Sequence, residues 1–547
     1  MRLQARPHGR CGRASCVWCR YARMRALDRY AASCGNFVPV AQEPHSGPRR
    51  AKRAKEILAN QPRPLPGYQG QSPWLVICVS LMFGVGSAVL RGQMPGVEST
   101  TPGTAVVGRT SIPYVDAKLV IEALREDLLP ADLIAKTSAE RELLWPGWVS
   151  RRDLTIRARV ARGDEDSIFN FLLLGTTFTA APRVTDVVAS LGEAKGTAVV
   201  RQRLDDLVAG VASPGTNERL QFVRDVVERT GVAAATPAGK SEVRLYLGEI
   251  VARVVREREG HDRAIASVKQ LDDPMAKAAA HSTLYRDRGL SSDTSIFPSF
   301  AIEQALRAIK SADMFRDAPI RRVAIVGPGL DFIDKEEGYD SYPLQTIQPF
   351  ATIDSLIRLG LATPDGLQIT TFDLSARVNH HLQLARQRAR AGDEYVLALP
   401  RNMAKGWNRD LSAYWQRIGD SIGEETQAIV APPNAGNVQI RAVRVRPSVV
   451  ASIVAQDLNV VLQRLEQSDP RERFDLVIAT NVLVYYDEFE QSLAVVNLAK
   501  MLRRGGLLLS NNVVYELPGT PLNAVGDTGV GYTDSGDGDL ITWYERQ

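Results

Sequence analysis

The sequence predicts an α/β protein: a doubly wound, mostly parallel seven-stranded sheet with a terminal antiparallel hairpin, preceded by a mainly helical domain and a hydrophobic N-terminal segment. Three observations predict it. From Arg321 onward short apolar runs alternate with helical segments, the pattern of a parallel sheet with crossovers. Between Tyr114 and about Lys310 apolar residues recur at helical spacing, as in Leu119, Ile121, Leu124 and Leu128, and again in Val243, Leu247, Ile250 and Val254. Residues 74–90, "WLVICVSLMFGVGSAVL", form an uncharged run behind a basic cluster.

At 547 residues the chain has length for about three domains. Hydrophobic residues at 44%, charged residues at 24% and a net charge of +5 are ordinary globular values and give no case for nucleic acid. The divisions read from composition are a basic low-complexity leader (1–73), the apolar segment (74–90), a Gly, Pro, Ser and Thr-rich linker (91–112), the helical region (113–295) and the α/β region (296–547), with an insertion at about 374–448. No fixed-period repeat supports a solenoid.

In the leader, Arg and Lys recur and the acids before Arg63 are Asp28, Glu43 and Glu56, a composition expected to stay disordered. It holds Cys11, Cys16, Cys19 and Cys34, but no second C-x2-C pair at ribbon spacing, so no metal site is assigned. Cys78 lies in the apolar run, which leaves the body without a disulfide framework. Residues 74–90 suit a short spanning helix or the core of an export signal, with the basic flank inside and the body outside. The expected location is therefore membrane-associated or exported, and cytoplasmic if the segment is not used. A leader this long suggests a translation start downstream of Met1, which intact-mass measurement checks.

In the α/β region the strand candidates are 323–327 (VAIVG), 368–373 (QITTFD), 449–457 (VVASIVAQD), 474–480 (FDLVIAT) and 506–512 (GLLLSNN). A helix led by Phe350, Ile353 and Ile357 separates the first two, and Gly505-Gly506 reads as the stop of the helix before the fifth. The chain closes on two strand-like runs around a Gly and Asp-rich turn.

The site begins at the first turn. Gly327 and Gly329 remove side chains where the strand ends, so a ligand can approach the backbone there. Phe332 stands where a dinucleotide fingerprint needs its third glycine, which disfavours a nicotinamide or flavin site. Asp373 ends the second strand, where a carboxylate either accepts ribose hydroxyls or caps the next helix. Asp457 ends the third, either to receive an adenine amine, with Leu458 beside the ring, or again as a cap.

Together these elements resemble the class I S-adenosylmethionine-dependent methyltransferases over roughly Phe297 to the C-terminus. The resemblance implies that Gly327 and Gly329 face the methionine moiety, that Asp373 holds the ribose, that Asp457 and Leu458 hold adenine, and that the hairpin completes the sheet. The stretch "FDLVIATNVLVYYDEFEQSLAVVNLAKMLRRGGLLL" carries it best, and its Asn481-to-Tyr485 segment is similar to that of chemotaxis-receptor methyltransferases. Asn481 and Tyr485 would then face the methyl acceptor, unless the tyrosine only packs. Two departures stand out: Ile325 sits where the family often has an acid, and Asp331 where it has its third glycine. An acidic loop follows, "DFIDKEEGYDSY", either solvated or favouring a sulfonium.

The cofactor implied is S-adenosylmethionine, with no metal, and direct methyl transfer as the activity. The acceptor, the membrane side, the task of the helical region and the oligomeric state are not given by the sequence. His380 and His381 are candidate bases with helix packing as the alternative, and Trp407, Tyr414 and Trp415 of the insertion form either an acceptor wall or a packed core. Two competing functions remain: a non-catalytic fold relative acting as an interaction module at a membrane or outside the cytoplasm, and a nicotinamide oxidoreductase.

Overall fold

The computed structural model describes residues 108–184, 193–270, 288–315, 318–330, 340–467, 469–512, 514–533 and 538–547. The basic leader, its cysteines, the apolar segment 74–90 and most of the acidic loop lie outside the described residues. Among the described residues, no helix is long and apolar enough to cross a membrane.

The main sheet is built from β2 (Arg322–Val326), β3 (Gln368–Asp373), β7 (Ile453–Asp457), β9 (Phe474–Ala479), β10 (Leu502–Ser510), β11 (Leu522–Gly531) and β12 (Gly538–Arg546). Its order is β11-β12-β10-β9-β2-β3-β7. The pairs β7–β3, β3–β2, β2–β9 and β9–β10 are parallel, while β12 is antiparallel to both β10 and β11. Chain order turns back between β2 and β9, since β3 and β7 were laid down on one side of β2 before the chain crossed to the other. A doubly wound sheet binds ligands outside the carboxyl ends of its strands at such a switch. The seven strands and the closing antiparallel hairpin are consistent with a methyltransferase fold.

The central strands of the sheet are buried on both faces. Side chains alternate along each strand, so Val323 and Ile325 join one core while Ala324 and Val326 join another, and Leu476 and Ile478 divide from Val477 and Ala479 in the same way. The first core is covered by α6 (Ile296–Ser311), α7 (Gln348–Arg358) and α8 (Ala376–Ala391). The second is covered by α11 (Glu488–Met501) and by two elements from the start of the described chain, α1 (Tyr114–Ala123) and the first half of α2 (Ser138–Leu174). Trp145 stacks on Trp148 at 4.9 Å, and Trp148 meets Phe489 of α11 edge-on at 5.5 Å. Strand β1 (Arg109–Ser111) pairs with β8 (Gln463–Leu465).

These contacts alter the division read from the sequence. Residues 112–156 share a core with the sheet, and the separate helical core begins only at Ile168. It contains the last turns of α2 with α3 (Glu193–Ala212), α4 (Glu218–Glu228) and α5 (Pro237–Lys269). Helix α2 spans both bodies, 37 residues long, or about 56 Å at about 1.5 Å per residue.

The insertion after α8 is a small antiparallel sheet, β4-β6-β5, made of β4 (Tyr395–Asn402), β5 (Gly423–Thr426) and β6 (Val438–Val445), with α9 (Arg409–Arg417) against it. Pro400 is tolerated because β4 is an edge strand. Two boundaries differ from expectation. Pro447 sits at the start of a short helix, α10 (Pro447–Ala451), so β7 begins only at Ile453. Helix α11 ends at Met501 without the two glycines; Gly505 and Gly506 lie inside β10, where its pairing with β9 shifts register between Leu502 and Leu507.

Candidate functional site

A cavity of about 590 Å³ opens at the switch point, over the carboxyl ends of β2, β3, β9 and β10. Its floor is the turn after β2. Gly327 and Gly329 have φ of +63° and +70°, which side-chain-bearing residues adopt at a cost. A Cβ on Gly327 would lie 2.7 Å from Val482, and one on Gly329 would lie 2.7 Å from the carbonyl oxygen of Asp293. The turn is fixed by Gly327 N–H donating to Phe372 O at 2.8 Å and Leu330 N–H donating to Ser292 O at 2.5 Å. The segment before α6, Leu290 to Ser295, is therefore a wall of the cavity.

Asp373 faces the cavity from the tip of β3. It does not cap α8; Ser375 does, its Oγ accepting from Val378 N–H. Oδ1 of Asp373 accepts from Ser375 N–H at 2.8 Å, and Asn379 donates to its carbonyl at 2.9 Å. Burial, with the neighbouring Asp457 adding to it and the Ser375 amide opposing, pushes the Asp373 carboxyl up to about 7. Leu458, buried, lines the same end.

Asp457 is placed differently from the expectation. It stands beside Asp373 in register, but it is not among the lining residues. Arg157 of α2 donates to both its carboxylate oxygens at 2.8 and 3.1 Å, and Arg109 donates to its carbonyl at 2.7 Å. The carboxylate proposed for an adenine amine is committed to this chain's own arginines.

Across the turn, Asn481 takes φ +58° at the tip of β9 and exchanges two hydrogen bonds with Asn511 at the end of β10, at 2.8 and 2.5 Å. Both line the cavity, as does Tyr485, whose carbonyl accepts from Arg159 at 2.8 Å. Gln348, at the start of α7, donates to Thr480 at 2.9 Å.

Several lining residues were not foreseen: Gln348, Thr480, Asn511, Asn512 and Asp539. The run Ser510-Asn511-Asn512 was a legible signal, since polar residues closing an apolar strand fall at the ligand edge of an open sheet. The histidines and the insertion aromatics are not in the lining. His381 is turned to Tyr395, ring nitrogen to hydroxyl 3.0 Å, and burial lowers its pKa to about 4. Trp407, Tyr414 and Trp415 are core residues, and Trp407 backs the lining residue Phe297, at 5.6 Å between rings. Among the described residues no cluster of His, Cys, Asp or Glu is arranged to hold a metal ion.

The charge of the lining is one-sided. Asp293, Asp373 and Asp539 contribute carboxylates, and none of the described lining residues is Arg, Lys or His.

No family model matches the chain, and no curated protein matches it. Among solved structures it is similar to the N-methyltransferase NodS of Bradyrhizobium japonicum in complex with S-adenosylhomocysteine, at 12% identity over 45% of this chain and 87% of that one, TM-score 0.22. It is also similar to magnesium protoporphyrin IX methyltransferase ChlM of Synechocystis with bound S-adenosylmethionine, at 12% identity, 45% and 79% coverage, TM-score 0.23. An O-methyltransferase family protein of Burkholderia thailandensis matches at 13% identity, 76% and 99% coverage, TM-score 0.20. The assignment of fold rests on the strand order, not on these values.

Proposed function

We propose that this chain binds S-adenosylmethionine in the switch-point cavity and transfers its methyl group. The observation that carries the proposal is the lining: a bare glycine turn and an acid at the second strand tip, among three carboxylates and no described basic side chain. Such a wall disfavours a pyrophosphate, which wants cations or free amides, and favours a nucleoside of positive charge. Two of the solved structures named above, NodS and ChlM, carry the demethylated product and that cofactor, respectively, by their descriptions.

The residues present fit the group. Asp373 would accept from the ribose hydroxyls, Leu458 would cover the base, and the Gly327–Gly329 backbone leaves room for the amino-acid part. The sulfonium supplies an already activated methyl when bound. What remains for the chain is to align an acceptor and exclude water, and orientation of this kind is worth about 7 to 11 kcal/mol. With Asp457 held by Arg157, the base edge is left to backbone groups and Leu458. The likeness of Asn481 to Tyr485 to chemotaxis-receptor methyltransferases is confined to that segment and supplies no acceptor. The engaged Asp457 is also the observation that favours the second reading, a non-catalytic relative that holds the nucleoside without turnover.

Calorimetry on the full chain tests the proposal. S-adenosylhomocysteine is expected to bind and NADH not to, and Asp373→Ala is expected to weaken binding by about tenfold or more, the worth of a hydrogen bond to a charged group. A folded protein that ignores S-adenosylhomocysteine overturns it. Binding without label transfer from methyl-labelled cofactor to any fraction of a cell extract selects the second reading.

A further inference from the structure

The far end of the cavity, beyond the glycine turn, has a chemistry of its own. Asp539 opens β12 and lines the cavity. Its Oδ2 accepts from Tyr532 O–H at 2.5 Å, and its Oδ1 lies 3.5 Å from the Asn511 amide nitrogen. Burial, with Asp539 beside it, pushes the Tyr532 phenol well above its ordinary range, so it stays the donor in this pair. Beside this pair stands Phe297, whose ring packs on Tyr532 at 5.1 Å. Asn512 adds a buried side-chain oxygen that accepts no hydrogen bond from the described residues. A carboxylate, an aromatic ring and an amide oxygen together receive a group that is positively charged and rich in N–H, since aromatic faces and carboxylates both attract ammonium.

We propose that the methyl acceptor is an amine, received as its ammonium by Asp539 and the Phe297 ring, and that Asp539 takes the proton the nitrogen must lose before it attacks. This rests on the reading of the cavity as a methyl-donor site. With a nucleoside held by Asp373 at the β3 tip, its transferable group would be presented toward β9 and β10, beside β12 and Asp539. In the step, the ammonium gives one proton to the Asp539 carboxylate. The freed lone pair forms the N–C bond, while the methyl C–S bond breaks and its electron pair goes to sulfur, leaving a neutral thioether. The methylated nitrogen carries the positive charge that the sulfur has lost. An oxygen acceptor such as a phenol would bring a developing anion next to Asp539, which this end opposes.

Sinefungin, an adenosyl amino acid with an ammonium in place of the methylated sulfonium, probes this end directly. On the full chain it is expected to bind about tenfold or more tightly than S-adenosylhomocysteine, the worth of one charge-assisted contact. Asp539→Asn is expected to bring the two affinities within about threefold, since the charged contact to the ammonium is lost. Tyr532→Phe keeps the charge and is expected to keep the preference. Equal affinities in the unmodified chain, or a preference that survives Asp539→Asn, overturns the proposal. If that variant fails to fold, the unmodified chain's ratio decides alone. Loss of S-adenosylhomocysteine binding itself would remove the donor-site reading and this one with it, whereas its binding without an ammonium preference removes this one only.

Discussion

Asp373 is the residue whose protonation should be felt outside the cavity. Its carboxyl is raised to about 7 by burial, against about 3.9 in an unfolded chain. Between those values the folded state holds a proton that the unfolded state has released, so this group's contribution makes the ligand-free protein less stable as pH rises from about 4 to about 7. Asp373→Asn should flatten that slope in thermal melts. Ligand binding runs the other way: ribose hydroxyls donate to the ionised form, so S-adenosylhomocysteine affinity should rise through pH 7 and level off above it. Calorimetry from about pH 5.5 to 8.5 checks this, and a profile unchanged by Asp373→Asn refutes it. At Gly327, where φ is +63° and Val482 leaves no room for a Cβ, Gly327→Ala should destabilise by about 1 to 2 kcal/mol and weaken ligand binding through the distorted floor.

Elements of the main sheet were legible where a short apolar run met a turn residue. The runs at β2, β3 and β9 stand out because they are buried on both faces and flanked by polar or glycine residues. The start of β7 was masked by Val449 and Val450, which satisfy a helix behind Pro447 as well as a strand. The small sheet was not legible although Val438–Val445 alternates apolar and polar side chains for its first four residues, because Ala442 and Val443 then break the alternation. Of the site, the glycines, Asp373 and Leu458 could be placed from chain order alone. The fate of Asp457 could not, because the arginine that engages it lies 300 residues away. A second element-scale feature was equally hidden. Glu303 of α6, fully buried, binds Arg358 of α7 and Arg417 of α9. Burial opposes its ionisation, but the hydrogen bonds from those two arginines prevail and hold its carboxyl near 2. Its stabilising contribution is therefore complete above about 4.3 and lost as pH falls toward 2. Glu303→Ala, which strands the facing arginines, should cost about 3 to 5 kcal/mol in denaturant unfolding.

At the scale of the whole molecule, the α/β region is not self-sufficient. Trp145, Trp148 and Ile156 are buried in the core beneath β2 and β9, and burial of such side chains is worth about 1.5 to 3 kcal/mol each. A fragment starting at residue 296 should therefore expose that face, bind hydrophobic dyes and lack a cooperative melt, whereas one starting at residue 108 should fold. Recovery of a sharp transition in the shorter fragment would refute this. The long helix α2 extends the point to ancestry. Genes exchange modules at seams where few contacts cross, usually an exposed linker, and a break anywhere between Ser138 and Leu174 would cut a helix packed at both ends. A module boundary inside this helix is therefore disfavoured, and a relative carrying the sheet with a different bundle should keep the first half of α2, which packs on the sheet.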